Sequence, residues 1–301
     1  MAKFVNVAGV QFATSTSGGA PDAGKVICRE MEAKLNSLKG YGLDLVVTCE
    51  LAILAQTLET AEEIANPGPL LQTYARFAAA EKCHVAGASR VREGDDVYNS
   101  IVYFGPDGDI LGVYHKVNLT YTAIGKGERS GTKAVVIDTA IGRLGGVICF
   151  DLNFEELRQQ YRALKPDILT FASAYHGGLM QQMWAYDCRA FFVSALQFMG
   201  CGVLDPFGRE LKVTDCYTNV ARATINLDRV MVHLDKNRTK FAEIEKKYLG
   251  EIIIDTPANV GSALIYSMTD ERTAMDVVAE FELELLDDYL AASLAANAAN
   301  R

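Results

Sequence analysis

Three side chains in this sequence are of the types that can attack a carbon, move a proton and hold a negative charge: the thiol of Cys149, the carboxylate of Glu50 and the ammonium of Lys116. Each stands directly after a short apolar run: Gly145-Gly146-Val147-Ile148 before the cysteine, residues 43–49 before the glutamate, and residues 110–115 before the lysine. Runs of this kind read as strands, and in α/β proteins ligands gather beyond the carboxyl ends of strands. After Cys149 the chain turns polar and helix-like, through Phe150-Asp151-Leu152-Asn153-Phe154-Glu155-Glu156. A strand-to-helix turn offers a thiol access and the positive end of a helix, which lowers its pKa. Together the three residues make a candidate nucleophile, base and cation. Taken singly, each also has a plainer reading: a packed core thiol, a first-turn helix acid and an edge-strand charge.

The elements that must position them alternate. Strands are expected at 5–12, 43–49, 84–92, 98–104, 110–115, 134–139, 145–149, 168–174, 193–198 and 220–226, with another from 230 onward. Helices are expected at 22–39, 68–82, 154–164 and 179–191, the first with Val26, Met31, Leu35 and Leu38 on one face. Pro106-Asp107-Gly108-Asp109 is a hairpin turn signal, and Asp205-Pro206-Phe207-Gly208 is another turn. Strands alternating with helices, plus several hairpins, predict an α/β protein with a mixed sheet or two sheets. There is no internal repeat and no Pro/Ser-rich linker, so one large domain is expected over 1–268. The character changes near 269, where Thr269-Asp270-Glu271 reads as a helix cap and Ala/Leu/Glu-rich sequence runs to Leu294. Residues 269–301 are therefore expected to be a helical extension whose Met275, Val278, Phe281, Leu285 and Leu290 cover the body or another subunit.

Bulk properties narrow the function classes. The chain has 301 residues, 50% hydrophobic, and a net charge of −9 from 38 acidic and 29 basic residues. No Lys/Arg cluster stands out, so no nucleic-acid partner is expected. Cysteines stand at 28, 49, 83, 149, 188, 201 and 216, an odd count without a CxxC pair. That argues against a disulfide framework and a zinc knuckle and fits a reducing cytoplasm. The N-terminus reads as a strand without an apolar signal core, and no apolar run approaches the roughly 20 residues that span a bilayer, so no membrane partner is expected. The four histidines, among them His115, His176 and His233, show no His-x-x-x-His spacing, so neither a metal nor another cofactor is expected. His176 follows the strand at 168–174, whose end should line a pocket, which makes Ser173, Tyr175 and His176 candidates for touching a small-molecule substrate.

Three stretches occur in a telling order: Asp44-Leu45-Val46-Val47-Thr48-Cys49-Glu50, Tyr114-His115-Lys116, and Gly146-Val147-Ile148-Cys149-Phe150-Asp151-Leu152-Asn153-Phe154-Glu155-Glu156. Tyr98-Asn99-Ser100, Trp184 with Arg189-Ala190, and Asp205-Pro206-Phe207-Gly208 accompany them. On these motifs residues 3–235 resemble the nitrilase, or carbon–nitrogen hydrolase, superfamily. The resemblance implies an α/β fold, a four-layer αββα sandwich of the nitrilase type, and a homodimer or higher homo-oligomer in which two sandwiches pair across helices. It implies that Cys149 is the nucleophile and that Glu50 takes the thiol proton and passes it to the leaving amine. Lys116 would hold the oxyanion, helped by the backbone N–H of Phe150. The chemistry is consistent: an amide is a poor electrophile with a poor leaving group, and needs an activated nucleophile, an acid and charge stabilisation at oxygen. A buried ammonium and carboxylate beside the thiol would also lower its pKa or share its proton.

Two positions depart from the family pattern. Many members carry a second glutamate near positions 123–124, where this chain has Ala123 and Ile124; Glu128 comes later, so either the loop is rebuilt or that helper is missing. Phe192-Val193 replaces a frequent Glu-Asn pair. Phe150-Asp151-Leu152 also stands where true nitrilases usually show Trp-Glu-Asn, which favours the amidase and carbamoylase branches. The expected function is a thiol-dependent hydrolase of a non-peptide C–N bond in a small linear amide or N-carbamoyl amine, through an acyl-enzyme on Cys149. The alternatives are a nitrile hydrolase and a catalytically weak member that binds or regulates. A thiol redox protein is a further alternative, but it lacks a resolving cysteine near Cys149 in sequence.

Overall fold

The computed structural model describes residues 2–16, 20, 22–50 and 56–301. Val5–Thr224 form one compact unit, and Ile225–Arg301, with the first residues of the chain, form a second.

The larger unit holds β1 (Phe4–Val10), α1 (Ala23–Asn36), β2 (Leu45–Val47), β3 (Glu62–Glu63), α2 (Pro69–Glu81), β4 (His84–Glu93), β5 (Asp96–Phe104) and β6 (Ile110–His115). It continues through α3 (Tyr121–Gly125), β7 (Val136–Thr139), β8 (Gly142–Ile148), α4 (Glu155–Leu164), β9 (Ile168–Ser173) and α5 (Leu179–Cys188), then β10 (Phe191–Leu196), β11 (Gly202–Leu204), β12 (Glu210–Val213) and β13 (Val220–Asn226).

Two sheets result. One has the order β13-β1-β2-β4-β5-β6, with β3 beside β4; the other runs β12-β11-β10-β9-β8-β7. In the first, β1, β2 and β4 are parallel and the β4-β5-β6 hairpins antiparallel. In the second, β8, β9 and β10 are parallel. The parallel strands are buried on both faces, as in the BBBBBB patterns of β9 and β10, because the sheets cover each other while helices cover the outer sides. Helix α2 lies on the first sheet with α1 packed beside it, and α5 on the second with α4 beside it, giving the αββα layers expected from the sequence. The two sheets come very close at Gly9, where a Cβ would lie 2.0 Å from the Ser194 carbonyl oxygen, so only glycine fits.

The smaller unit has β14 (Arg229–His233), α6 (Leu234–Tyr248), β15 (Ile252–Asp255), β16 (Ser262–Ser267), α7 (Ala274–Glu280) and α8 (Leu286–Ala299). Its strands form an antiparallel sheet in the order β14-β16-β15. Its core joins Val232, Phe241, Ile244, Tyr248 and Ile265 to Ala274, Val277, Val278 and Leu283.

Two sequence expectations change here. The reading of a strand from 230 onward misses α6, although Phe241, Ile244 and Tyr248 already have helical spacing. The single tail helix is instead two. Thr273 and Asp276 form the capping box that starts α7, and a left-handed Glu282 (φ 48) turns the chain before α8. Among the described residues no helix is long and apolar enough to cross a membrane.

Candidate active site

The two sheets bring the three chemical side chains together from separate strand ends. Glu50 lies just past β2, Lys116 one residue past β6, and Cys149 one residue past β8. Glu50 and Lys116 are 5% and 4% exposed.

Glu50 is held by donors on both oxygens. Its Oε1 accepts from Lys116 Nζ at 2.8 Å and from Asn99 Nδ2 at 2.9 Å. Its Oε2 accepts from the Ala174 N–H at 3.1 Å. Asn99 also fixes the lysine's backbone, since its carbonyl accepts from the Lys116 N–H at 2.8 Å. Burial opposes the Lys116 charge, but Glu50 and then Cys149 outweigh it and hold the ammonium's pKa above the ordinary lysine value.

Cys149 opens a short 3₁₀ turn over Cys149–Asn153 and has φ 47, in the left-handed region. That conformation costs a non-glycine residue about 1–2 kcal/mol. Its thiol is electrostatically coupled to Glu50, Lys116 and Ser173. The expected lowered thiol pKa is corrected here. Burial first, then the Glu50 charge, push it up to about 11, and Lys116 only partly offsets them. At neutral pH the resting thiol is therefore protonated, next to a carboxylate that can receive the proton.

Ser173 ends β9; its hydroxyl bonds the Tyr175 carbonyl at 2.6 Å and accepts from the Tyr175 N–H at 3.0 Å. The Tyr175 hydroxyl accepts from Asn153 at 3.2 Å, and burial, with smaller contributions from Cys149 and Glu50, raises its pKa. The Phe150 side chain is partly exposed and meets Phe154 edge-on at 5.3 Å. His176 serves its own turn: Nδ1 accepts from the Gly178 N–H at 3.0 Å and its carbonyl from the Gln181 amide. Glu128 is buried and paired with the Arg90 guanidinium. Arg90 stands opposite Asn99 across the β4–β5 ladder. The carboxylate on Lys116 is that of Glu50.

Sequence reasoning undervalued two residues. Asn99 entered only as part of a motif; its signal is a polar side chain amid Val97, Ile101 and Val102, all buried in one strand. Asp151 figures only within the third motif and as a branch marker, although an acid two residues after the cysteine is placed to reach back to the start of a helical turn.

The sequence pattern of the carbon–nitrogen hydrolases matches residues 7–231. The chain belongs to that family. Among curated relatives, it is 26% identical over 188 residues to the chloroplastic omega-amidase of Arabidopsis thaliana, covering 53% of this chain and 51% of that protein. It is 26% identical over 215 residues to the human omega-amidase NIT2, covering 63% of this chain and 73% of that one. The chain thus spans about half the length of the Arabidopsis relative. Among solved structures, Nit3 of Saccharomyces cerevisiae, a nitrilase-superfamily member, superposes with a TM-score of 0.64 at 20% identity over 74% of this chain and 90% of that one. An amidase from Nesterenkonia sp. gives 0.64 at 14% identity over 81% of this chain and 96% of that one. The fold is accordingly the nitrilase-type sandwich.

Proposed function

We propose that the protein hydrolyses a non-peptide C–N bond in a small linear amide or N-carbamoyl amine through an acyl-enzyme on Cys149. The observation that carries this reading is the convergence on Glu50, which accepts from the Lys116 ammonium at 2.8 Å and whose charge acts on the Cys149 thiol, the three residues each standing just past a strand end.

In the acylation step the sulfur attacks the substrate carbonyl carbon while Glu50 takes the thiol proton. The oxygen gains negative charge opposite Lys116 and the Phe150 backbone N–H. The tetrahedral intermediate collapses, the C–N bond breaks, and the proton on Glu50 passes to the departing amine. Water then attacks the thioester with Glu50 as base, releasing the acid and restoring the thiol. A thiol pushed up to about 11 makes the base indispensable, because little thiolate exists at neutral pH.

Asn99 keeps Glu50 and Lys116 in register. Ser173 and Tyr175 contact the substrate, His176 supports their loop, and Glu128 acts through Arg90. An amide is favoured over a nitrile by the residues after the cysteine, and omega-amidases stand among the relatives. On this reading the enzyme works in the cytoplasm as a homodimer or higher homo-oligomer. The extension from 269 adds a subunit contact through its exposed Met275, Leu290 and Leu294.

The test is ammonia release from short-chain amides, N-carbamoyl amino acids and aliphatic nitriles, using wild type and Cys149→Ser. Release by wild type alone from the first two classes supports the proposal. Equal release by both proteins, or release from none, overturns it.

A further inference from the structure

Asp151 is fully buried beside the site, and the proposed reaction gives it no task. Four donors converge on its carboxylate. Oδ2 accepts from the Tyr114 hydroxyl at 2.7 Å and from the Ile148 N–H at 3.1 Å. Oδ1 accepts from the Asn118 N–H at 2.8 Å and from the Asn118 amide at 3.2 Å. Tyr114 and Asn118 flank Lys116 two residues to either side, and Ile148 immediately precedes Cys149. One carboxylate is therefore bonded on both sides of the ammonium-bearing residue and at the entrance to the cysteine's turn.

Such a hub answers a structural need. A left-handed Cys149 persists only where its surroundings over-determine it. The reach of Asp151 back to the Ile148 N–H closes the turn from its third residue, as the acid of a capping box does. An ionised carboxylate can accept all four bonds; a carboxamide has one acceptor oxygen and would point an NH2 group at another donor. Burial pushes the Asp151 pKa up to about 6, while its bonds to Tyr114 and Asn118 hold it down, so the group is ionised at neutral pH.

We propose that Asp151 is a positioning residue that holds the Cys149 turn in register with the Lys116 segment, so that the thiol meets Glu50 in line for proton transfer. This rests on Cys149 as the nucleophile.

The probe is iodoacetamide, with alkylation followed by peptide mass at Cys149 and, as an internal reference, at the exposed Cys216. In the wild type, Glu50 relieves the thiol of its proton during attack, so Cys149 alkylates at pH 7 without first becoming a free thiolate. Lys116, Ser173 and Tyr175 also act electrostatically on this thiol and are unchanged in the variant. In folded Asp151→Asn, Cys149 should alkylate at least tenfold slower at pH 7 and come within threefold of the wild-type rate at pH 10, where thiolate forms unaided. Cys216 should stay within twofold throughout.

A folded variant whose Cys149 reacts at the wild-type rate, or is slowed by one factor at every pH, overturns the role. If Asp151→Asn does not fold, Tyr114→Phe and Asn118→Ala decide. A threefold slowing at pH 7 in either supports the proposal, and unchanged rates in both overturn it. A wild-type Cys149 that takes no label overturns the nucleophile assignment and this proposal with it. A labelled wild type with an unaffected variant overturns the Asp151 role alone.

Discussion

The Lys116 ammonium donates to Glu50 Oε1 at 2.8 Å with both side chains almost wholly shielded from solvent. A buried pair of this kind is expensive to half-remove, because the survivor keeps its desolvation cost and loses its counter-charge. Lys116→Met should therefore act twice. In the proposed reaction it takes the cation from a developing oxyanion, which costs about 3–4 kcal/mol, a fall in kcat of roughly 10²–10³. Leaving Glu50 with only the Asn99 and Ala174 donors should also lower stability. The double variant Lys116→Met/Glu50→Gln should regain much of that stability and none of the activity, as read by denaturant midpoints and ammonia release. If the double variant stays as unstable as the single, the pair has no structural coupling.

Glu128 tests a different relationship. Its carboxylate pairs with Arg90, so Glu128→Gln should weaken a buried charged bond and cost about 1–3 kcal/mol of stability, with kcat falling less than tenfold. A kcat loss of tenfold or more at unchanged stability would mean about 1.4 kcal/mol of transition-state stabilisation lost. That result would place Glu128 at the substrate.

The parts of the fold that were legible in the sequence are those with local signals. The strand ending at Glu50, the hairpin ending at Lys116 and the run ending at Cys149 each announce themselves by an apolar stretch that stops at a polar residue. Asp107-Gly108 marks the β5–β6 turn, where Gly108 takes φ 81. What was not legible depends on contacts between distant residues. The raised Cys149 pKa follows from partial burial of the thiol and from the charge of Glu50, a residue 99 positions away, which no periodicity encodes. The Arg90–Glu128 pair joins positions 38 apart. The break between α7 and α8 hinges on one left-handed residue, Glu282, that has no glycine to advertise it.

Alkaline pH should expose the buried thiols. Cys149 and Cys28 are pushed up to about 11, and Cys83 and Cys188 to about 12, mainly by burial. Above pH 9 the unfolded chain releases thiol protons that the folded chain still holds. Folding is therefore favoured by this effect below about 9 and loses it as pH rises toward 11 or 12. Melting temperature should fall steadily from pH 9 to 11, and less steeply in Cys149→Ser. A flat melting profile over that range would contradict the upward shift of these thiols.

Truncation after residue 268 should strongly destabilise the smaller unit. It removes Ala274, Val277, Val278 and Leu283 from the core they share with Val232, Phe241 and Ile244. Each lost Val or Leu side chain costs about 1.5–3 kcal/mol of burial. Thermal unfolding followed by circular dichroism reads this directly, and a truncated chain that melts like the full one would contradict it.

In the proposed reaction Cys149 carries the acyl group. Intact-mass analysis of the wild-type protein, quenched in acid after seconds of exposure to a slowly turned-over amide, tests it most directly. The expected result is a mass increase equal to the acyl fragment, mapped by peptide mass to Cys149 and absent from Cys149→Ser. Ammonia release in wild type with no adduct at Cys149, or with an adduct on another residue, would contradict the account.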